Sequence, residues 1–115
     1  MQSLDHQKLD AYHRALDLLE HVDAIYDRLP AGRSHLKDQL DRAATSIVLN
    51  IAEGAGEFSR IEKRRFYRMA RRSATETAAI LDIIARRKAA PIASLQHAQT
   101  LVVRVVAMLA RLAGA

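Results

Sequence analysis

At 115 residues the chain has room for one domain with a single core, residues 1–115, and too little for a core plus an elaborate cofactor site. It contains no cysteine, which excludes a disulfide framework, a thiolate metal site and a cysteine nucleophile, and suits a reducing cytoplasm. The net charge of +5 is unevenly placed: residues 1–57 hold 6 Lys/Arg against 10 Asp/Glu (−4), whereas residues 58–115 hold 12 against 3 (+9), so a basic half can meet phosphates or an acidic partner, or the two halves can neutralise each other within a bundle or across subunits.

Residues 1–30 carry many charges and no apolar run of the kind a secretory signal needs. Apolar residues recur at helical spacing almost throughout, only 4 glycines and 2 prolines interrupt them, and no alternating strand pattern appears, so the sequence is all-α. The first helix is expected from about Leu9 to Leu29, with Leu9, Tyr12, Leu16, Leu19, Val22, Tyr26 and Leu29 inward, and Pro30-Ala31-Gly32 stops it. On that helix His13, Asp17 and His21 recur every four residues and offer a surface metal too few ligands, with no second shell, so they read as an exposed polar face and no metal site is expected. Arg28 and His35 have the loose Arg-x6-His spacing of some α-helical ribonucleases, but Pro30 and Gly32 break the helix that would hold them.

The second helix is expected after Ser34, as N-cap, and to end at Gly54 in a left-handed cap, with Gly54-Ala55-Gly56 as the turn. Leu36, Leu40, Ala43, Ile47 and Ile51 form its core stripe, while Ser46, Asn50 and Glu53 form a polar stripe beside it. A carboxylate in the last turn of a helix opposes the dipole, so Glu53 is expected to meet a cationic or hydrogen-bonding partner, with Arg65, Arg72, Ser73 and Thr77 of the third helix as candidates. Arg42, Ser46, Asn50, Glu53 and Ser73 thus read as a structural polar network that fixes helix register or a contact between subunits. No second carboxylate or histidine stands nearby in the sequence to make an acid/base pair, and no catalytic residue is assigned.

The third helix opens on Ser59-Arg60-Ile61-Glu62, which has capping-box spacing, and should be the longest, reaching about Lys88 before Pro91. Phe66, Met69, Ala70, Ser73, Thr77, Ile80, Leu81 and Ile84 are its expected inward face. Its first three turns carry Arg60, Lys63, Arg64, Arg65, Arg68, Arg71 and Arg72 against the single acid Glu62. Arg60, Arg64, Arg68 and Arg71 follow an i, i+4, i+8, i+11 line along one edge, a spacing that can straddle nucleic-acid phosphates with bidentate guanidinium groups, and Tyr67 beside them is placed to stack on a base. The same residues also read as a solvated face, or as partners for Asp10, Asp17, Glu20, Asp23 and Asp27 of the first helix. Arg86, Arg87 and Lys88 suit the negative end of the helix dipole.

Ser94 is expected to cap a fourth helix from Leu95 to about Ala113. Leu101, Val102, Val103, Val105, Val106, Met108, Leu109 and Leu112 cover more of its circumference than one core buries, with only Arg104 and Arg111 marking a polar line, which points to self-association through Val103 and Val106. The apolar run Leu101 to Leu112 is broken by those arginines and falls short of the roughly 20 residues of a membrane span.

Three segments carry a family resemblance: Gln39-Leu-Asp-Arg42-Ala-Ala with Ser46-Ile-Val-Leu-Asn50-Ile-Ala-Glu53-Gly54, Arg65-Phe66-Tyr-Arg-Met69-Ala70-Arg71-Arg-Ser73-Ala-Thr-Glu76, and Leu9-Asp-Ala-Tyr-His-Arg-Ala-Leu16. They resemble the four-helix-bundle proteins encoded in intervening sequences of bacterial 23S ribosomal RNA genes, and depart from that pattern at Glu57, Arg72 and Ala74. The resemblance implies a ring of five bundles and an RNA connection, and the fold is also similar to that of accessory proteins of reverse transcriptases in diversity-generating retroelements.

The sequence therefore reads as a cytoplasmic, non-enzymatic, antiparallel up-down-up-down four-helix bundle that self-associates, holds no cofactor, avoids the membrane, and displays a basic ridge to RNA or DNA. The competing class is a structural or protein-interaction module without nucleic-acid contact.

Overall fold

The helical periodicity resolves into four helices in the computed structural model, which describes residues 4–114. They are α1 (Asp10–Arg28), α2 (Ser34–Gly56), α3 (Arg60–Arg86) and α4 (Ile92–Leu112), with 3-10 turns at Asp5–Lys8 and Ala31–Arg33 and no strand among the described residues. Each helix packs against its chain neighbours and α1 also packs against α4, whereas no contact joins α1 to α3 or α2 to α4. α1 and α3, and α2 and α4, are thus the pairs whose backbones are not neighbours.

Leu18 and Ile25 of α1, Leu40, Ile47 and Ile51 of α2, Leu81 and Ile84 of α3, and Val102, Val105 and Leu109 of α4 are fully buried at the centre. The expected stripe of α2 is buried at every position. In α1 the inward line is instead Ala11, Ala15, Leu18, Val22 and Ile25, and Tyr12, Leu16, Leu19 and Tyr26 flank it half-buried. The helix is rotated because alanines let neighbouring backbones approach, while the larger side chains cover the groove toward α2, where Lys37 lies over the Tyr26 ring at 5.0 Å. A similar rotation in α3 puts Tyr67, Ala70, Ala74, Thr77, Ile80, Leu81 and Ile84 inward, leaving Phe66 and Ser73 half-buried and Met69 exposed.

The helix ends also depart from expectation. Ser34 is the first helical residue rather than the cap, with φ −54° and ψ −38°. α2 does not stop at Gly54 but runs through it to Gly56. Gly54 is there for close packing: a Cβ on it would lie 2.9 Å from Tyr67 Cε1 and 3.0 Å from Phe66 Cβ. Ser59 does cap α3, accepting from the Glu62 amide at 3.3 Å, but the Glu62 carboxylate turns to Arg65 Nε at 3.2 Å instead of reaching back. Ser94 lies within the first turn of α4 and donates to the Pro91 carbonyl at 2.8 Å. By length and composition α4 could cross a membrane. Here Leu95, Ala98, Val102, Val105 and Leu109 make it one wall of the core.

Alanine at Gly54 gains about 1 kcal/mol of helix propensity but must displace an aromatic ring in a packed groove, which costs about 1–3 kcal/mol. Gly54→Ala should therefore lower stability in urea denaturation. Gly56→Ala, where a Cβ would meet nothing within 4 Å, should be neutral or stabilising.

Candidate nucleic-acid interface and the polar seam

Arg60, Arg64 and Arg68 are exposed and Arg71 is half-buried along the first three turns of α3. Among the described residues none of the four makes an ion pair; the two ion pairs present, Arg14–Asp17 at 3.0 Å and Arg65–Glu62 at 3.2 Å, are local to their own helices. The acids of α1 make no ion pair with these arginines among the described residues, and α1 does not pack against α3. α4 adds a cation that the sequence reading assigned elsewhere: Arg60 and Arg64 share a hollow of about 430 Å³ with Arg111, Leu112 and Gly114. The Arg64 side chain lies over Gly114, which has φ +82° and where a Cβ would meet Nε at 3.1 Å. The only signal for Arg111 was its place at the end of α4, which gains meaning once that end is seen to meet the start of α3.

Two other basic residues of the run are already engaged. Lys63 Nζ donates to the carbonyl oxygens of Ala55 at 2.8 Å and Gly54 at 3.3 Å, closing the end of α2 where orphan carbonyls and the negative dipole end favour a cation. Arg65 pairs with Glu62 and stacks over Phe66 at 5.1 Å, away from the ridge.

Tyr67 borders the hollow that Arg60 and Arg64 share, as the sequence suggested, but its ring is not presented for stacking. It is only 5% exposed and packs against Gly54. Arg60 and Tyr67, seven residues apart, lie nearly in line on α3, but the Tyr67 ring is laid against Gly54 at the end of α2 and is withdrawn from the surface, so it does not stack on a base. Burial pushes its phenol above the usual tyrosine range, and the negative charge of Asp5 adds to the effect.

The expected polar network is brought together in part. Ser46 Oγ and Ser73 Oγ share a hydrogen bond of 2.9 Å across the α2/α3 groove, and Asn50 Nδ2 donates to Ser46 Oγ at 3.0 Å and to the Ser46 carbonyl at 2.9 Å. Arg42 and Glu53 stay exposed on the rim of a hollow of about 410 Å³ that Leu49 and Asn50 also line. Glu53 meets no cation among the described residues, so the arginine expected to pair with it is not supplied within the chain. Thr77, one of its proposed partners, is fully buried and donates to its own helix at the Ser73 carbonyl, 2.8 Å away.

On α1, the His13 ring bonds the Gln7 carbonyl at 2.8 Å, Asp17 pairs with Arg14, and His21 stacks on His97 of α4 at 5.9 Å, so the three point to different partners. Arg28 and His35 stand on different helices. On α4, Val103 is 68% exposed, whereas Val106 is half-buried against the core.

These features define an all-helical, four-helix protein with a basic edge and a polar interhelical seam. The profile of the 23S rRNA-intervening sequence proteins matches residues 7–111, and the chain belongs to that family. Its fold is similar to that of a protein of unknown function from the S23 ribosomal protein family of Bacteroides thetaiotaomicron VPI-5482, solved at 1.70 Å, with a TM-score of 0.84 at 19% identity over 91% of this chain and 99% of that one. No curated protein gives a significant match.

The raised phenol predicts an alkaline instability of known sign. A group whose pKa is higher folded than unfolded binds its proton more tightly in the native state, so its contribution is complete below about pH 10 and is lost as pH rises through the folded value. One of the 3 tyrosines should ionise late in an ultraviolet titration. Tyr67→Phe should remove that late step and flatten the fall in stability above about pH 10.

Proposed function

We propose that the protein is a non-enzymatic cytoplasmic scaffold, an up-down-up-down four-helix bundle assembled into a homo-oligomeric ring, pentameric by resemblance, that binds the backbone of RNA or DNA through Arg60, Arg64, Arg68 and Arg71. The observation that carries this reading is the run of four arginines along one edge with no acidic partner among the described residues. Arg111 extends the ridge onto α4. Guanidinium groups recognise phosphate by a rigid fork of donors, and burial withdraws Tyr67 from the bases, so the binding is to backbone and carries little sequence preference. Repetition of the ridge around a ring supplies avidity that one bundle lacks. Family membership adds an RNA connection through the 23S rRNA intervening sequences for which the family is named. The compact core and the absence of cysteine agree with a reducing cytoplasm.

A second reading, a protein-interaction module without nucleic-acid contact, is favoured by the apolar side chains left outside: Leu49, Phe58, Ile61, Ile92 and Val103.

Affinity measured against salt distinguishes the two. Each phosphate neutralised contributes about 0.7–0.9 to the slope of log affinity against log salt. Reversing Arg60, Arg64, Arg68 and Arg71 to glutamate should weaken binding and flatten that slope with the assembly intact, and Tyr67→Phe should leave both unchanged. Failure of the wild-type chain to bind RNA or DNA at low salt sinks the first reading and leaves the second. Val103→Glu, at an exposed position, should lower the assembly state without unfolding the chain if α4 carries a subunit contact, as sedimentation would show.

A further inference from the structure

The hollow where the start of α3 meets the end of α4 holds about 430 Å³ and is bordered by Arg60, Arg64 and Arg111, with Leu112 as an apolar wall. Its cations come from two helices, so they border the space from two sides, whereas Arg68 and Arg71 continue along one. Gly114 gives the Arg64 side chain its seat: a Cβ there would meet Nε at 3.1 Å and Cζ at 3.2 Å, so the guanidinium rests close on the backbone at the end of α4. A long side chain held in this way loses less freedom when a ligand arrives. Lys63 also borders the hollow, but its ammonium is spent on the last carbonyls of α2.

Tyr67 belongs to the same lining. Its hydroxyl makes no hydrogen bond among the described residues, yet it is not sealed from solvent. Burial and the charge of Asp5 keep the phenol protonated, which leaves a neutral O–H donor at the edge of a basic hollow. Asp5 itself does not border that space.

This set of groups differs from what a strand backbone needs. A phosphodiester within a strand carries a single negative charge, whereas a phosphate monoester carries about −1.5 to −2 at neutral pH and three strong acceptor oxygens. Three guanidinium forks and a phenol offer more donors than a diester can engage, and they match the charge and oxygen count of the monoester. We propose that the hollow is a site for the terminal phosphate monoester of an RNA or DNA strand, held by Arg60, Arg64, Arg111 and the Tyr67 hydroxyl, while Arg68 and Arg71 follow the adjoining backbone. The proposal rests on the nucleic-acid reading and adds to it a preference for phosphorylated strand ends. Tyr67 is what sets the two apart, because contact with the backbone along α3 does not use its hydroxyl.

The probes are a short single-stranded RNA of one sequence carrying a phosphate at its 5′ end, at its 3′ end or at neither, with an internal label for anisotropy, and free AMP as competitor. At one fixed salt concentration a strand with a terminal phosphate should bind the full-length protein about tenfold more tightly than the hydroxyl-ended strand. Arg111→Gln and Tyr67→Phe should each erase that preference, with hydroxyl-ended strands still bound within about threefold of wild type and the helical circular dichroism unchanged. A wild-type chain that binds none of the strands defeats the nucleic-acid reading and the end site with it. Equal affinity for phosphorylated and hydroxyl-ended strands, or a preference that survives both substitutions, defeats the end site and leaves backbone binding standing. AMP that binds as tightly as the phosphorylated strand makes the hollow a mononucleotide site and also overturns the proposal.

Discussion

The close approach of α2 and α3 is the constraint on which the rest of the molecule depends. Gly54 lets the Tyr67 ring reach the α2 backbone, Ala70 and Ala74 are wholly buried, and the Ser46–Ser73 bond of 2.9 Å fixes the register between the two helices. Once that register is set, α2 must end at Gly56, and Lys63 falls where the last carbonyls of α2 need a cation. The same register turns Tyr67 inward, and with it the whole face of α3. The arginines are on the outside because Tyr67, Ala70 and Ala74 are on the inside.

Charge follows topology in the same way. With α1 and α3 not packed against each other, the carboxylates of Glu20, Asp23 and Asp27 make no ion pair with the ridge among the described residues, and the chain as a whole carries 13 acids against 18 bases. A bundle in which the acidic helix packed beside the basic one would lose this separation to surface ion pairs, each worth about 0–1 kcal/mol. The polarity is thus a consequence of which helices are neighbours, and neighbour order is set by the short connections between consecutive helices.

Much of this was legible in the residues and some of it could not be. The number and rough limits of the helices follow from apolar periodicity and from Pro30 and Pro91, and the α2 stripe Leu36, Leu40, Ala43, Ile47 and Ile51 is buried at every position, with Ala44, Val48 and Ala55 widening it beyond the reading. The reading put the larger side chain inward on α1, Tyr12 over Ala11, and the more apolar one on α3, Phe66 over Tyr67, since burial rewards apolar area. The fold prefers alanine or glycine wherever two backbones approach, and that preference depends on a partner helix the one-dimensional pattern does not contain. Gly54 is the clearest instance. Glycine near the end of a helix suggests a left-handed cap, yet here it answers to a ring thirteen positions along the chain. The ridge was legible because it needs only one helix, whereas the place of Arg111 beside it needed two.

The exposed apolar side chains take their meaning from the same geometry. Leu49, Phe58, Ile61, Ile92 and Val103 stand outside the core because each lies off the inward face of its element. Contact made through such side chains is apolar and insensitive to the salt that weakens phosphate binding. Assembly through them and ligand binding through the arginines would therefore separate in a salt titration, with the oligomer persisting at concentrations that release nucleic acid.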